Sequence, residues 1–462
     1  MPDVAIDRRF IYDRAAFGLT MRILWGSEQP TRQTGYGRVT RELAKHFVAA
    51  GHEVFVMGWE YTGEDFKHEE GWTLVDCGIP DGKFGGELIL GDKGPTVLER
   101  NLHRYQPDVY VSLTDIWHIP HAIKSCNAAK IPYVAYMPID GTPIPEAWGD
   151  ILKHLHTPLF MSGFGGEQFS RFVQQMAETD PAWNHYIENP AASILHGVDT
   201  EIFKPISADE KAAIRERLNV PPEWKTIFSS VGRNVNRKQL PRLLEAFNLF
   251  LEKSDGADAG MILHTGDPEN HWQLGWHLPS LIKRLGLEGR VIFSDIDANP
   301  CLGLPTTDLA QLYQIADAHI LATGGEGFGL PSLEAMACGI PIILPDNSTG
   351  PELIRPEAGN IHNNRGYLLG ENGILVRCAT SIAGSGFGVQ MGLVDISALA
   401  EAMAFIHGAN INKNETAFGK NGRELAESLS WSNIADQFIV ALEKAAGSDH
   451  HLTQATPTDE EE

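Results

Sequence analysis

The segment Gly324-Gly325-Glu326-Gly327-Phe328-Gly329-Leu330-Pro331-Ser332-Leu333-Glu334 carries the residue types best suited to chemistry. It follows the apolar run His319–Ala322 and continues to Gly339. Pro331 fits the first position of a helix and Gly339 the residue just past its end. The glycines let the backbone approach a ligand closely. The amides of Gly329, Leu330 and the first helical turn then face the ligand with the helix dipole behind them, which is an anion site suited to a diphosphate. Gly327 and Phe328 lie in the same loop and belong to the same expected site. Glu334 is placed in the first turn, and Glu326 lies eight residues earlier. Two carboxylates would repel a phosphate, so their useful task is to accept hydrogen bonds from hydroxyls on either side of it. A nucleotide-sugar offers such hydroxyls on its ribose and its hexose.

A second segment, Gly232-Arg233-Asn234-Val235-Asn236-Arg237-Lys238, directly follows the run Thr226–Val231. Arg233 offers a bidentate fork and Lys238 a point charge across a strand-to-helix turn, a pairing suited to a diphosphate leaving group. Fixed cations here would remove the need for a divalent metal, and no cofactor is expected. A third segment, Thr34-Gly35-Tyr36-Gly37, follows the first strand and opens the first helix. Gly35 and Gly37 are expected in a wall of the cleft, although a tight turn alone would also explain them. Thr40 stands where a dinucleotide fingerprint would carry its third glycine, which disfavours a dehydrogenase. His118 and His121 are three residues apart with no third ligand in sight, so a helix-surface or core role is expected rather than metal binding. Asp295-Ile296-Asp297 imitates a metal signature of a different fold and reads as a loop near a nucleotide base.

These residues need a scaffold that presents loops. From Met21 onward, short apolar runs alternate with amphipathic segments in two series. Strands are expected at Met21–Trp25, Val54–Gly58, Val109–Leu113, Tyr133–Met137, Leu159–Ser162 and Ser193–Leu195. The second series is Thr226–Val231, Met261–His264, Val291–Phe293, His319–Ala322, Ile340–Leu344 and Ile374–Val376. Near-continuous apolar runs are what a parallel sheet covered on both faces requires. Between them, Arg38–Ala50 places Val39, Leu43 and Phe47 on one stripe, and Gln239–Leu251 does the same with leucines and Phe247. The fold class is therefore α/β: two Rossmann-like, doubly wound parallel-sheet domains facing each other across a cleft, with ligands beyond the carboxyl ends of the strands. The expected organisation is an extension at 1–20, an acceptor domain at 21–205 and a nucleotide-sugar domain at 206–428. A helix at 429–446 crosses back to the first domain, and an acidic, disordered tail occupies 447–462.

The chain has 462 residues, with 37 Lys and Arg against 60 Asp and Glu, a net charge of −23. Such an acidic chain repels nucleic acid and anionic lipid in the mean field, so at most peripheral membrane contact is expected. Five scattered cysteines without a C-x-x-C pair suit a reducing, cytoplasmic compartment.

In combination these segments resemble retaining glycosyltransferases of family 4. The resemblance rests on Glu326 to Glu334, on Arg233 followed by Lys238, and on His196-Gly197-Val198-Asp199 leading to Phe203-Lys204-Pro205. The helix Asp308–Asp317 and the pair Ser430-Trp431 add to it. It spans roughly residues 21–446 and is strongest in the second half. It implies the GT-B fold and transfer of a hexosyl group, with retention, from a nucleoside-diphosphate sugar to a sugar or glycan hydroxyl. Arg233 and Lys238 would hold the diphosphate, Glu334 the ribose and Glu326 the donor sugar. Many members carry a His after the strand matching Tyr133–Met137. Here the loop reads Pro138-Ile139-Asp140, which makes Asp140 an acceptor-side candidate, with a turn role as the plain alternative. Asp115 also follows a strand and is a second candidate, with a helix N-cap as its alternative. A sugar phosphorylase, a nucleotide-sugar epimerase and a catalytically silent nucleotide-sugar sensor are the competing functions on the same scaffold.

Overall fold

Apolar runs become strands here because helices cover both faces of each sheet. The computed structural model describes residues 20–78, 96–266, 268–269, 275–294, 303–357, 361–383, 388–412 and 416–447. The first sheet contains β1 (Arg22–Ser27), β2 (Glu53–Gly58), β3 (Phe66–Lys67), β4 (Thr73–Val75), β5 (Val109–Leu113), β6 (Tyr133–Met137), β7 (Thr157–Phe160) and β8 (Ala192–Ser193). Its order is β3-β4-β2-β1-β5-β6-β7-β8, parallel throughout except for β3 against β4. The second sheet contains β9 (Thr226–Val231), β10 (Ala259–His264), β11 (Val291–Phe293), β12 (Ala318–Ile320), β13 (Ile342–Pro345), β14 (Tyr367–Leu369) and β15 (Gly373–Val376). Its order is β11-β10-β9-β12-β13-β15-β14, parallel except for β14. A hairpin of β16 (Cys378–Ala383) and β17 (Gln390–Val394) stands apart from both sheets.

The expected α/β class and pair of doubly wound sheets are what the structure shows, with several local differences. The sequence reading omitted β3, β4, β14 and the β16–β17 hairpin. β3 and most of β16 are exposed and lack an apolar run, so no periodic signal marks them. The first helix spans Gly35–Ala49 and begins three residues earlier than expected, because the Thr34 hydroxyl accepts the Gly37 amide and caps it. The Gly-rich segment also starts its helix differently. That helix is Leu330–Ala337, with Gly329 in the left-handed region at φ 105° as its cap. Pro331 is therefore the second helical residue, and Glu334 lies in the second turn rather than the first. Asp295-Ile296-Asp297, Cys301, residues 1–19 and residues 448–462 lie outside the described residues.

The last helix, Trp431–Gly447, returns to the first sheet and packs on the helix Gly35–Ala49. Phe438 is fully buried and meets Trp25 and Phe47 at 6.1 Å and Tyr136 at 4.8 Å between ring centres. Gly197 is required where this helix enters, since a Cβ there would lie 2.8 Å from the Trp431 Cα. One core cluster consequently joins Trp25 and Val111 of the first sheet, Phe438 of this helix and Leu333 of the second domain.

Phe438→Ala removes a ring from the seam between three elements. It is expected to cost about 3–5 kcal/mol, read as a lower urea midpoint, while the exposed Gln437→Ala stays within about 0.5 kcal/mol. Equal midpoints for the two variants would mean that the returning helix contributes nothing to the core.

Candidate active site

In an open parallel sheet, the crevice forms where strand order reverses. In the first sheet that point lies between β1 and β5, and in the second between β9 and β12. Beyond the ends of these four strands lie Tyr36 and Arg38 at the start of the helix Gly35–Ala49, Asp115, Arg233 to Lys238, and Thr323 to Gly329. The loop after β6 adds Asp140.

Glu326 is the centre of the arrangement. Its two oxygens meet Lys238 Nζ at 2.6 Å and Arg237 Nη1 at 3.0 Å. Burial pushes the Glu326 carboxyl up, but the two cations and the Lys238 hydrogen bond outweigh it and hold the group down at about 2. Burial lowers Lys238, with Glu326 opposing the fall, while burial also opposes Arg237, whose pKa Asp140 and Glu326 nevertheless raise. Arg237 reaches further: its Nε lies 3.3 Å from Asp140 Oδ2, and it donates to the Gly325 carbonyl. The backbone supports this set through the Gly324 amide donating to the Arg237 carbonyl at 2.7 Å and the Glu326 amide donating to Ser348 Oγ at 2.9 Å.

The glycines of the loop accommodate protein as well as any ligand. A Cβ at Gly325 would lie 1.8 Å from the Asp140 carbonyl oxygen, and one at Gly327 would lie 2.4 Å from Pro138 Cβ. The Gly327 amide donates to the Asp140 carboxylate. The close approach inferred from the sequence is thus filled by the loop of the opposite domain. Beside it, Tyr36 donates to Asp115 Oδ1 at 3.2 Å. Burial, then the charge of Asp140, raises Asp115 to about 6, and Tyr36, Arg237 and Arg233 only partly offset this. Burial also raises Asp140, against the pull of Arg237.

Glu334 is buried and occupied. Arg38, from the helix Gly35–Ala49 of the first domain, pairs with its Oε1, and Tyr313 donates to its Oε2 at 2.8 Å. Burial raises the Glu334 carboxyl, and Arg38 and Tyr313 counteract part of that rise. Arg38 Nε is buried without a hydrogen-bond partner, as is Ser332 Oγ in the first turn of the Gly-rich helix. A small recess opens at that helix start, lined by Thr323, Glu326, Gly329, Ser332, Ser348 and Thr349 among others. Three further contacts span the cleft. Glu352 accepts from the Gly163 and Phe164 amides at 3.0 and 3.3 Å, and Thr142 exchanges backbone hydrogen bonds with Gln390 of β17.

The structure brings Lys238, Glu326, Asp140 and Asp115 into one neighbourhood. Arg233 stands at its edge, exposed, its charge felt at Asp115. Asp115 precedes the short helical turn Ile116–His118 without making a side-chain cap bond, so the N-cap alternative is not what holds it. Two of the expected donor-site residues also have structural roles. The Phe328 ring is buried, 5.0 Å from the His196 ring, and anchors the loop from behind. Gly37 is held by its own turn, since a Cβ there would lie 2.5 Å from the Arg32 carbonyl oxygen. Gly35 does face the cleft, with Leu330 3.8 Å away, and Leu330 packs against the joint core. Arg237 and Arg38 were missed. Their signals were present: a second cation beside Lys238, and a cation directly after Gly37 at the start of the helix that follows a central strand.

Comparison with known proteins bears on this geometry. Residues 211–373 match the family of glycosyl transferases group 1. The match covers β9 to β14 and the first residue of β15, and so includes Arg233, Arg237, Lys238, Glu326 and Glu334. The chain is 31% identical over 173 residues to a D-inositol 3-phosphate glycosyltransferase of Corynebacterium diphtheriae, covering 37% of this chain and 38% of that one. It is 27% identical over 330 residues to an uncharacterised glycosyltransferase of Methanocaldococcus jannaschii, covering 69% and 78%. The chain spans about two fifths of the length of the Corynebacterium protein and of a putative glycosyltransferase of Bacillus subtilis. Among solved structures it is similar to sucrose-phosphate synthase from Thermosynechococcus elongatus, with TM-score 0.64, 18% identity and 92% and 98% of the two chains covered. It is also similar to Anabaena HepE in complex with UDP and glucose, with TM-score 0.61, 18% identity and 92% and 100% covered. These likenesses establish the fold as GT-B. The group 1 segment thus forms the second domain's side of the cleft, and Tyr36, Arg38, Asp115 and Asp140 face it from outside the match.

Asp115 gives a pH signature. Its folded pKa is raised, so its stabilising contribution is complete below the ordinary value of 3.8 and is lost as pH rises through about 6. Asp115→Asn removes this titration while keeping an acceptor for Tyr36. The variant is expected to gain about 2 kcal/mol on the parent between pH 4 and 8. Urea midpoints across that range check it, and parallel curves for the two proteins would disprove the raised pKa.

Proposed function

We propose that this chain is a retaining glycosyltransferase of family 4 that moves a hexosyl group from a nucleoside-diphosphate sugar to a hydroxyl of a sugar or glycan, without a metal ion. The carrying observation is the meeting of fixed cations, a helix start and paired carboxylates at the switch points of both sheets. The donor diphosphate takes the start of the helix Leu330–Ala337 and the charges of Arg233 and Lys238. Glu326 accepts from donor sugar hydroxyls, and its low pKa keeps it an acceptor throughout the physiological range. Glu334 receives the ribose hydroxyls, which requires Arg38 to share or release that carboxylate.

In the reaction the bond from the anomeric carbon to the β-phosphate oxygen breaks, and a bond from the same carbon to the acceptor oxygen forms on the same face. The acceptor proton passes to the departing phosphate oxygen. Asp115 and Asp140 hold the acceptor hydroxyls, and Lys238 and Arg233 offset the charge that develops on the leaving group. Catalysis on this scheme is positioning and electrostatic stabilisation, and it needs no protein nucleophile. The reading includes no cofactor, and the acidic surface suits a cytoplasmic protein that does not bind nucleic acid.

A thermal-shift screen of UDP-, GDP- and ADP-sugars with EDTA present tests the donor site. One nucleotide class at 100 times its Kd is expected to add about 2.7 kcal/mol of stability, and Arg233→Ala and Glu334→Ala are expected to abolish the shift. Glu326→Ala is expected to keep nucleotide binding and lose about 10²–10³ in turnover. Absence of a shift with every nucleotide-sugar would refute the proposal and favour the phosphorylase alternative.

A further inference from the structure

Arg38 and Glu334 stand on different domains and direct their charges at each other. Both oxygens of Glu334 are taken, Oε1 by Arg38 and Oε2 by the Tyr313 hydroxyl. The pair is largely buried, with the Arg38 side chain 13% and the Glu334 side chain 4% exposed. Arg38 nevertheless has a donor to spare, because its Nε is buried without a hydrogen-bond partner. Its charge is also felt at His264, whose pKa falls through burial first and Arg38 second. The two helices that carry the pair begin opposite each other. A Cβ on Gly35, the first residue of one, would lie 3.8 Å from Leu330, the first residue of the other. Arg38 and Glu334 each lie one turn inward from those starts. A guanidinium released from Glu334 therefore has one helical pitch to cross, about 5.4 Å, to reach the recess where Ser332 Oγ is buried without a partner. That step is within the length of an arginine side chain.

We infer that Arg38 is handed from protein to ligand: ribose hydroxyls displace it from Glu334, and the freed guanidinium binds the diphosphate of the same molecule. The inference rests on the nucleotide reading of Glu334 given above and adds a coupling to it. A buried carboxylate needs a partner to stay charged, and Arg38 is that partner here. Ribose hydroxyls keep Glu334 hydrogen-bonded when Arg38 leaves. The guanidinium exchanges one anion for another, and phosphate oxygens accept its planar fork in bidentate fashion. A neutral nucleoside brings the hydroxyls without the phosphates, so it displaces Arg38 and leaves a largely buried cation unpaired. A nucleoside diphosphate displaces the cation and pairs it again. The cleft thereby favours the diphosphate over the nucleoside by more than the pull of Arg233 alone, and the second domain recruits a charge from the first only when both parts of the ligand are present.

Titration of the full chain tests the handover, by calorimetry with UDP, GDP and ADP and by saturation-transfer NMR with uridine, guanosine and adenosine. The parent is compared with Arg38→Met and Arg38→Gln. For the base that binds, Arg38→Met is expected to take the nucleoside more tightly, because its competitor is gone, and the diphosphate more weakly, because its cation is gone. The ratio of diphosphate to nucleoside affinity is expected to fall about tenfold, the weight of one charge-assisted hydrogen bond. Arg38→Gln keeps a donor for Glu334 and so carries the test should the Met variant fail to fold. It is expected to leave nucleoside affinity unchanged and to weaken the diphosphate by a similar factor. A purely structural pair would weaken both ligands alike, and a plain competitor would strengthen both alike. An unchanged ratio in the variants that fold therefore overturns the handover, and with normal diphosphate binding in the parent it sinks the handover alone. A parent that binds no nucleoside diphosphate sinks the nucleotide reading and the handover with it.

Discussion

A buried carboxylate must be paired or it will not stay charged, and Glu326 meets that demand with two cations at once. Arg237 and Lys238 arrive from the loop after β9, Glu326 from the loop after β12, and Asp140 from the loop after β6 of the other domain. One ionic cluster therefore fixes three loops and the approach of the two domains. Its net charge is balanced before any ligand arrives. A diphosphate entering beside it meets Arg233, the only cation of the segment Gly232–Lys238 left outside an ion pair with a described residue.

The same economy governs the second carboxylate. Glu334 is held by Arg38 from the first domain and Tyr313 from its own, so the cleft is stitched at both ends of the Gly-rich loop. Between the stitches the loop has no side chains where Asp140 and Pro138 press against it. The glycines thus serve two ends. They free backbone amides at the start of a helix, and they let the opposite wall come within bonding range.

The architecture was legible because burial on both faces leaves near-continuous apolar strands, as in β5 and β6. The hairpin β16–β17 was illegible for the opposite reason: most of its first strand is exposed and nothing periodic marks it. Lys238, Glu326, Asp115 and Asp140 could be singled out because each follows a strand, the place in a doubly wound sheet where ligands bind, and the structure brings the four into one neighbourhood. Arg237 was passed over because the spacing of Arg233 and Lys238 drew the reading past the residue between them. Arg38 sat on a stripe-bearing helix whose sequence speaks of packing, and only the facing of two domains reveals its partner. Phe328 stands in the glycine loop that marks the expected site, and only the structure shows that its buried ring, beside His196, anchors that loop.

The contacts that span the cleft are of two physical kinds. Arg38 with Glu334, Arg237 with Asp140 and Glu352 with two amides involve charge, while Thr142 with Gln390 is an isolated backbone bridge. Mobile ions weaken charge pairs in proportion to how wet they are, and they scarcely touch a peptide hydrogen bond. A chain of net charge −23 also repels itself less as salt rises, since its two acidic halves are screened from each other. Ionic strength therefore acts on closure in opposing directions, loosening the pairs while relieving the repulsion around them, and the uncharged β17 edge keeps the register of the two walls when these effects cancel.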